Sequence, residues 1–199
     1  MKRIRIVAWA AVAAVLVAVG VAYVLRPNLA SLRTQLPLAA QIGGPFQLTT
    51  HDGKRLSSTD LDGTPFALFF GFTHCPDVCP TTMLELSNVI KELGPEADRM
   101  RFFFVSVDTE RDTPELLKTY LSNFDPRITG LVGTPSEIAA VAKAYRAFYE
   151  KVPSKDGYTY NHTALVYLMG RDGRLAGTIN YQEPEEVQVK KLRRLIGTS

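Results

Sequence analysis

The chain has 199 residues, of which 46% are hydrophobic and 22% charged, and its formal net charge at pH 7 is +3. This length and hydrophobic content suffice for one domain with a substantial core but not for two. The charge is too small and too scattered to indicate nucleic-acid binding, and neither standard Gly-rich phosphate loop occurs.

The first 26 residues predict a single-pass membrane anchor. Three basic residues within the first five precede an uncharged apolar run over residues 6–25. Twenty helical residues span about 30 Å, which matches the hydrocarbon core of a bilayer. The alternatives are a cleaved signal peptide, which usually has a shorter apolar region, and a buried core helix. The basic end favours the cytoplasm, so an inner-membrane anchor would place residues 27 onward in a bacterial periplasm or a mitochondrial intermembrane space.

After a linker over residues 27–42, the pattern of residues 43–199 predicts one folded domain. Its apolar and capping patterns predict strands over 46–50, 65–72, 101–107, 128–132, 158–160, 163–169 and 174–180, and helices over 81–93, 113–123, 134–149 and 185–196. Strands that alternate with helices predict an α/β fold with a mixed central sheet flanked by helices. The order of these elements is that of a thioredoxin-like fold.

The two cysteines of the chain, Cys75 and Cys79, lie where the predicted strand 65–72 gives way to the helix 81–93. Exposed N–H groups and the positive end of a helix dipole stabilise thiolates there. A structural disulfide would close a loop of only three residues, so it would remove little entropy from the unfolded chain, and the spacing would strain it. A redox pair or a metal site is therefore favoured over a structural bridge.

Two enzymatic interpretations of this pair fit poorly. A thioredoxin-type dithiol has two residues between its cysteines, whereas this pair has three. Such a dithiol also faces a cis-proline, and an alignment on residues 163–166 places His162 at that position in this chain. A peroxiredoxin keeps a threonine three residues before its cysteine, where this chain has Pro76. We therefore expect no conventional enzyme, while thiol–disulfide oxidoreductase activity of Cys75 and Cys79 stays open.

A metal site is the third interpretation. Two thiolates and the imidazole of His162 select soft or borderline ions, chiefly Cu(I), with Cu(II) and Zn(II) as alternatives. A structural zinc site uses four protein ligands, and no fourth cysteine or histidine suggests itself. His74 is expected to point away from Cys75, and the carboxylate of Asp77 is a hard ligand that suits Cu(I) poorly.

Polar residues elsewhere carry weaker predictions. Asp108, Arg111 and Asp112 follow the predicted strand 101–107, and parallel strands would bring them to the same sheet edge as the cysteines. They form either a solvated loop with an Arg–Asp pair or a part of the site or of a partner surface. His51 is expected to be exposed to solvent in a turn.

Three segments together resemble the Sco/SenC family: residues 71–80, residues 107–114 and the step Asn161-His162-Thr163. The resemblance covers about residues 40–197. It implies a thioredoxin-like, membrane-tethered copper chaperone that holds one copper ion through Cys75, Cys79 and His162. The implied recipient is the CuA centre in subunit II of cytochrome c oxidase, and the other implied partners are copper chaperones or thiol–disulfide oxidoreductases. The alternative that the family suggests is a thiol–disulfide reductase that keeps the CuA cysteines reduced.

Overall fold

The computed structural model describes most of the chain from residue 42 onward, together with parts of the N-terminal segment. The described residues are 9, 14–17, 19–21, 42–155 and 157–197. Among these residues, no helix is long and apolar enough to cross a membrane. Most of the predicted anchor and nearly all of the predicted linker lie outside the described residues, so both stay predictions.

A mixed sheet of seven strands forms the centre of the domain. The strands of the domain are β1 (Gln47–Thr50), β2 (Arg55–Ser57), β3 (Phe66–Gly71), β4 (Arg101–Ser106), β5 (Ile128–Val132), β6 (Tyr149–Ser154), β7 (Gly157–His162), β8 (Leu165–Met169) and β9 (Leu175–Asn180). The order in the sheet is β2-β1-β5-β4-β3-β8-β9, while β6 and β7 form a separate antiparallel hairpin. β3, β4 and β5 are parallel, and β8 runs antiparallel to β3.

Within residues 42–155 and 157–197, four α-helices pack on this sheet. They are α1 (Val78–Leu93), α2 (Pro114–Leu121), α3 (Pro135–Tyr145) and α4 (Glu185–Gly197), and short 3₁₀ helices cover Ser58–Leu61 and Gly94–Arg99. The hydroxyl of Thr113 caps α2, and a capping box between Thr134 and Glu137 begins α3. The predicted starts of both helices are therefore confirmed, and so is the mixed sheet flanked by helices.

β3 is buried along its whole length because helices cover both faces of the sheet. On one face, Phe69 contacts the ring of Phe104, which in turn contacts Tyr120 of α2. On the other face, Phe70 packs edge-on against Tyr145 of α3. A strand buried on both faces reads as a continuous apolar run, as this one does.

Two predicted boundaries were wrong in ways that affect the site. α1 begins at Val78 rather than at residue 81, so Cys79 lies in its first turn. α3 ends at Tyr145 rather than at residue 149, because Arg146 adopts a left-handed conformation with φ of 52° and the chain continues into β6. The strand β6 was not predicted. It carries charged residues and a proline, which obscure the alternating pattern of a strand.

The ends of three strands meet at one edge of the sheet. The parallel strands β3 and β4 both end there, and β8, antiparallel to β3, begins there. The cysteine loop follows β3, the segment 108–112 follows β4, and His162 lies three residues before β8. The topology therefore brings all three segments together.

Candidate metal centre

Cys75 and Cys79 lie on either side of the start of α1. Cys79 is fully buried, whereas Cys75 is partly accessible in the loop before the helix. The N-cap residue, Asp77, makes no capping hydrogen bond with its side chain, and instead the backbone N–H of Cys79 points at Cys75 Sγ, 3.4 Å away. The sulfur of Cys75 thus takes the place of a capping oxygen, where the helix dipole favours a negative charge.

Gly71, at the end of β3, makes room for the sulfur of Cys79. A β-carbon at this position would lie 2.9 Å from Cys79 Sγ and 2.9 Å from two carbons of the Phe104 ring. Both neighbours are buried, so neither can move aside easily. The absence of a side chain at Gly71 is therefore a requirement of the site.

His162 is the last residue of β7, and its ring is held in one orientation. Nδ1 lies 3.2 Å from the carbonyl oxygen of Thr163, which can only accept a hydrogen bond, so Nδ1 carries the proton. The rings of Phe69 and Phe72 pack against the imidazole at nearly right angles, each with centroids 5.8 Å away. Nε2 therefore faces the sulfurs, and it lies 3.4 Å from Cys79 Sγ.

The three predicted ligands come together in space. The sulfurs of Cys75 and Cys79 and a ring nitrogen of His162 all lie within 4.8 Å of one another. Two sulfurs and one imidazole nitrogen form a donor set suited to a soft or borderline ion. A groove of about 320 Å³ opens beside them, lined mainly by Phe72, Pro76, Val78, Tyr160 and Ala164. An ion held here would be within reach of an incoming ligand.

The two thiols have opposite acidities. Hydrogen bonding from the Cys79 side chain lowers the pKa of Cys75 to about 4, against a smaller opposing effect of burial, and the N–H of Cys79 adds to the lowering. Burial raises the pKa of Cys79, and the neighbouring Cys75 raises it further. Without a metal ion, Cys75 is therefore the thiolate of the pair and Cys79 the thiol that stabilises it.

The other two histidines do not join this group. His74 is half-exposed, with Nδ1 3.0 Å from Thr73 Oγ1 and 3.8 Å from a carboxylate oxygen of Asp112. The prediction that His51 is exposed was wrong. Its side chain is only 16% exposed, and Nδ1 accepts a 2.8 Å hydrogen bond from the N–H of Gly130.

Asp108, Arg111 and Asp112 do lie at the sheet edge near the cysteines, as the parallel strands require. They do not form a solvated loop, because the side chains of Asp108 and Asp112 are fully buried and that of Arg111 is 24% exposed. Asp108, Asp112 and His74 also place potential ligand atoms within 4.8 Å of one another. The carboxylates are already engaged, however, since they accept hydrogen bonds from Arg111, Tyr158, Thr73 and Ser106.

Sequence reasoning missed Thr73 and Tyr158. Thr73 adjoins the cysteine loop and binds Asp112 through both its N–H and its hydroxyl. Tyr158 binds Asp108 from the hairpin that carries His162. The contact of Tyr158 could have been anticipated from the alternation of Tyr158, Tyr160 and His162, since residues two apart lie on the same face of a strand.

Comparison with known proteins identifies relatives of this chain. The SCO1/SenC family model matches residues 34–197. The chain is 41% identical over 136 residues to the mitochondrial protein SCO1 homolog of Homo sapiens, a match that covers 66% of this chain and 45% of that protein. The chain thus spans less than half the length of this relative.

Solved structures of relatives have the same fold. The structure of Bradyrhizobium japonicum ScoI with copper bound is 52% identical, with a TM-score of 0.73, and the match covers 77% of this chain and 99% of that one. A second structure, of BsSco, is 27% identical with a TM-score of 0.66, over 80% of this chain and 96% of that one. That protein is described as having a disulfide switch and as a member of the Sco family of cytochrome c oxidase assembly proteins.

Proposed function

Because this chain belongs to the SCO1/SenC family, we propose that it binds one copper ion and takes part in the assembly of cytochrome c oxidase. The observation that carries the proposal is the convergence of Cys75, Cys79 and His162, whose ligand atoms lie within 4.8 Å of one another. The copper-bound relative that is 52% identical supports copper as the ion.

In this proposal the ligands have distinct roles. Cys75 supplies the thiolate that exists before the metal arrives, because its pKa is about 4. Cys79 loses its proton when the ion binds, and His162 contributes the lone pair of Nε2, whose direction the Nδ1–H bond to Thr163 fixes. Three such ligands suit trigonal Cu(I), and Cu(II) remains the second oxidation state to test.

The open groove beside the ligands favours delivery over storage. A cysteine of a recipient protein can approach the ion from the groove and replace the ligands one at a time. We propose the CuA centre in subunit II of cytochrome c oxidase as the recipient, with other copper chaperones or thiol–disulfide oxidoreductases as further partners. Ligand exchange of this kind needs no change in the oxidation state of copper.

The proposed location is the outer face of the inner membrane. The basic start of the chain and the apolar run over residues 6–25 support a single-pass anchor with the cytoplasmic end first. The folded domain would then face the periplasm, or the intermembrane space of a mitochondrion.

Titration of the reduced chain with Cu(I), in competition with a chromogenic chelator, tests the copper proposal. We expect one tight equivalent, which Cys75→Ser and Cys79→Ser abolish. His162→Ala should weaken it by at least the roughly 10–100-fold that loss of an outer-shell partner costs. His74→Ala is the matched control, because that histidine lies beside Cys75 but contacts Thr73 and Asp112. Affinity that is the same with and without His162 would contradict the three-ligand site.

A second candidate function is reduction of a partner disulfide. It is favoured by the pairing of one thiolate with one buried thiol and by the disulfide switch of a relative. The Cys75 thiolate would attack the partner disulfide, form a mixed disulfide and release one partner thiolate. Cys79, after losing its proton, would then attack Cys75 and release the second thiolate. Two electrons pass to the partner, and a Cys75–Cys79 disulfide remains.

The two functions differ in their dependence on His162. Metal binding uses its Nε2 as a ligand, whereas disulfide exchange needs only the two sulfurs. We therefore expect His162→Ala to impair copper transfer to a CuA-site dithiol while disulfide reduction by the variant continues. Loss of reduction with intact copper transfer in the His162→Ala chain would contradict the roles given to His162 in both functions.

A further inference from the structure

The two halves of the candidate metal centre are tied to one common segment of the chain. This segment, Asp108–Asp112, follows β4 and supplies none of the three ligands. One of its ends binds the loop that carries the cysteines, and the other binds the hairpin that carries His162. The inference drawn from this rests on the proposed function, since it concerns the same ligands.

The contact with the cysteine loop is made by the carboxylate of Asp112. One oxygen accepts the N–H of Thr73 at 2.9 Å and the hydroxyl of Ser106 at 2.5 Å, and the other accepts the hydroxyl of Thr73 at 2.6 Å. Thr73 lies only two residues before Cys75. The buried carboxylate therefore fixes the backbone at the point where the chain leaves β3 toward the first sulfur.

The contact with the hairpin is centred on Tyr158. Its hydroxyl donates a 3.1 Å hydrogen bond to Asp108, and its carbonyl oxygen accepts a 3.2 Å bond from Arg111. The guanidinium of Arg111 also lies 3.8 Å from the centre of the tyrosine ring. A salt bridge of 2.6 Å between Glu110 and Lys151 connects the segment to β6, the other strand of the hairpin.

The position of Tyr158 fixes that of His162 through the geometry of β7. Residues 158, 160 and 162 share one face of the strand. The rings form a continuous row, with centroid distances of 5.8 Å from Tyr158 to Tyr160, 5.5 Å from Tyr160 to Phe72 and 5.8 Å from Phe72 to His162. Within the described part of the chain β6 and β7 pair only with each other, so no ladder of backbone hydrogen bonds joins this hairpin to the sheet.

We propose that Asp108–Asp112 is a positioning segment that holds the imidazole of His162 and the sulfur of Cys75 at the separation a three-ligand site requires. Asp112 acts on the cysteine side through Thr73, and Asp108 with Arg111 acts on the histidine side through Tyr158. Outer contacts of this kind orient metal ligands and set affinity without touching the ion.

The test on the histidine side begins without metal. The full chain is labelled with ¹⁵N-histidine, and the imidazole signals of Tyr158→Phe are compared with those of Tyr149→Phe. Tyr149 is the matched control, because it lies on the same hairpin as the cross-strand partner of His162 and its contact with the ring of Tyr160 does not involve the hydroxyl. We expect averaged or doubled His162 signals in Tyr158→Phe only, with those of His51 and His74 unchanged. Wild-type signals from His162 in Tyr158→Phe would overturn the histidine side of the proposal.

The second test is a double-mutant cycle on Cu(I) affinity. Tyr158→Phe should weaken binding about 10-fold in the chain that has His162 and leave it unchanged in the His162→Ala chain, because its effect passes through that ring. Asp112→Asn acts on the cysteine side, so it should weaken binding in both chains under conditions where circular dichroism shows the variant to be fully folded. Unchanged binding of the folded variant would overturn the cysteine side of the proposal. Equal losses for Tyr158→Phe in both backgrounds would indicate a general loss of stability and overturn the assignment. If the wild-type chain bound no copper, the proposed function would fail, while the imidazole signals would still decide the positioning role.

Discussion

Cys79 Sγ packs so closely against Gly71 that a β-carbon on the glycine would lie 2.9 Å from the sulfur. The same β-carbon would meet the ring of Phe104 at 2.9 Å, so the sulfur and the ring together close the space above the end of β3. The position of the buried ligand thus depends on a residue that has no side chain.

Replacement of Gly71 by alanine should damage both stability and metal binding. Overpacking of a buried site costs about 1–3 kcal/mol, and relief of the clash would displace Cys79 Sγ. Urea unfolding measures the first effect, and Cu(I) competition measures the second. Gly177→Ala is the control, since nothing lies within 4 Å of its β-carbon position. A Gly71→Ala chain with wild-type stability and affinity would show that the sulfur has more room than the structure gives it.

The alkylation rate of Cys75 should be nearly independent of pH between pH 6 and 8. Its pKa is about 4, so the reactive thiolate is fully formed in this range and is lost only as the pH falls toward that value. In Cys79→Ala the main cause of the lowered pKa is gone, so the pKa should rise and the rate at pH 6 should fall. Iodoacetamide kinetics on the metal-free chain measure both profiles. A wild-type rate that grows about tenfold per pH unit in this range would mean an ordinary thiol.

Substitution of Asp112 by asparagine should destabilise the domain. Three donors converge on the two carboxylate oxygens, and an amide would turn its NH₂ group toward at least one of them. A buried donor left without a partner costs about 1–3 kcal/mol. Chemical denaturation should show this loss for Asp112→Asn and almost none for Asp98→Asn, whose side chain is 68% exposed. Equal curves for the two variants would contradict the role given to the carboxylate.

Loss of the His51 ring should weaken the junction between β1 and β5. Its Nδ1 accepts the N–H of Gly130, which would otherwise be left without that partner. We expect His51→Ala to lower the free energy of unfolding by about 1–2 kcal/mol. His74→Ala should change it by less than about 0.5 kcal/mol, because that side chain is 49% exposed. Thermal unfolding of the two alanine variants at neutral pH makes the comparison.

The strands around the cysteine loop could be predicted from the sequence because their apolar runs are long and uninterrupted. The starts of α2 and α3 were equally clear, since Thr113 and Thr134 are each followed by proline. The convergence of Cys75, Cys79 and His162 was anticipated from the order of elements and from the family resemblance. That the three residues hold copper stays a prediction.

The hairpin β6–β7 could not be predicted with the same means. Its strands are polar and partly exposed, and tertiary contacts such as that of Tyr158 with Asp108 hold it in place. No local sequence pattern predicts a hydrogen bond between residues that are 50 positions apart. For the same reason the sequence could not decide between a solvated loop and a part of the site at Asp108 and Asp112, whose side chains proved to be buried.

His162 follows Cys79 by 83 positions and reaches it only from the end of β7. While the chain is being synthesised, both sulfurs emerge long before the imidazole does. A growing chain therefore offers a two-sulfur binder first and the full donor set only after the hairpin has docked. A metal ion acquired early would be held without the third proposed ligand, so the complete donor set exists only once the domain has folded.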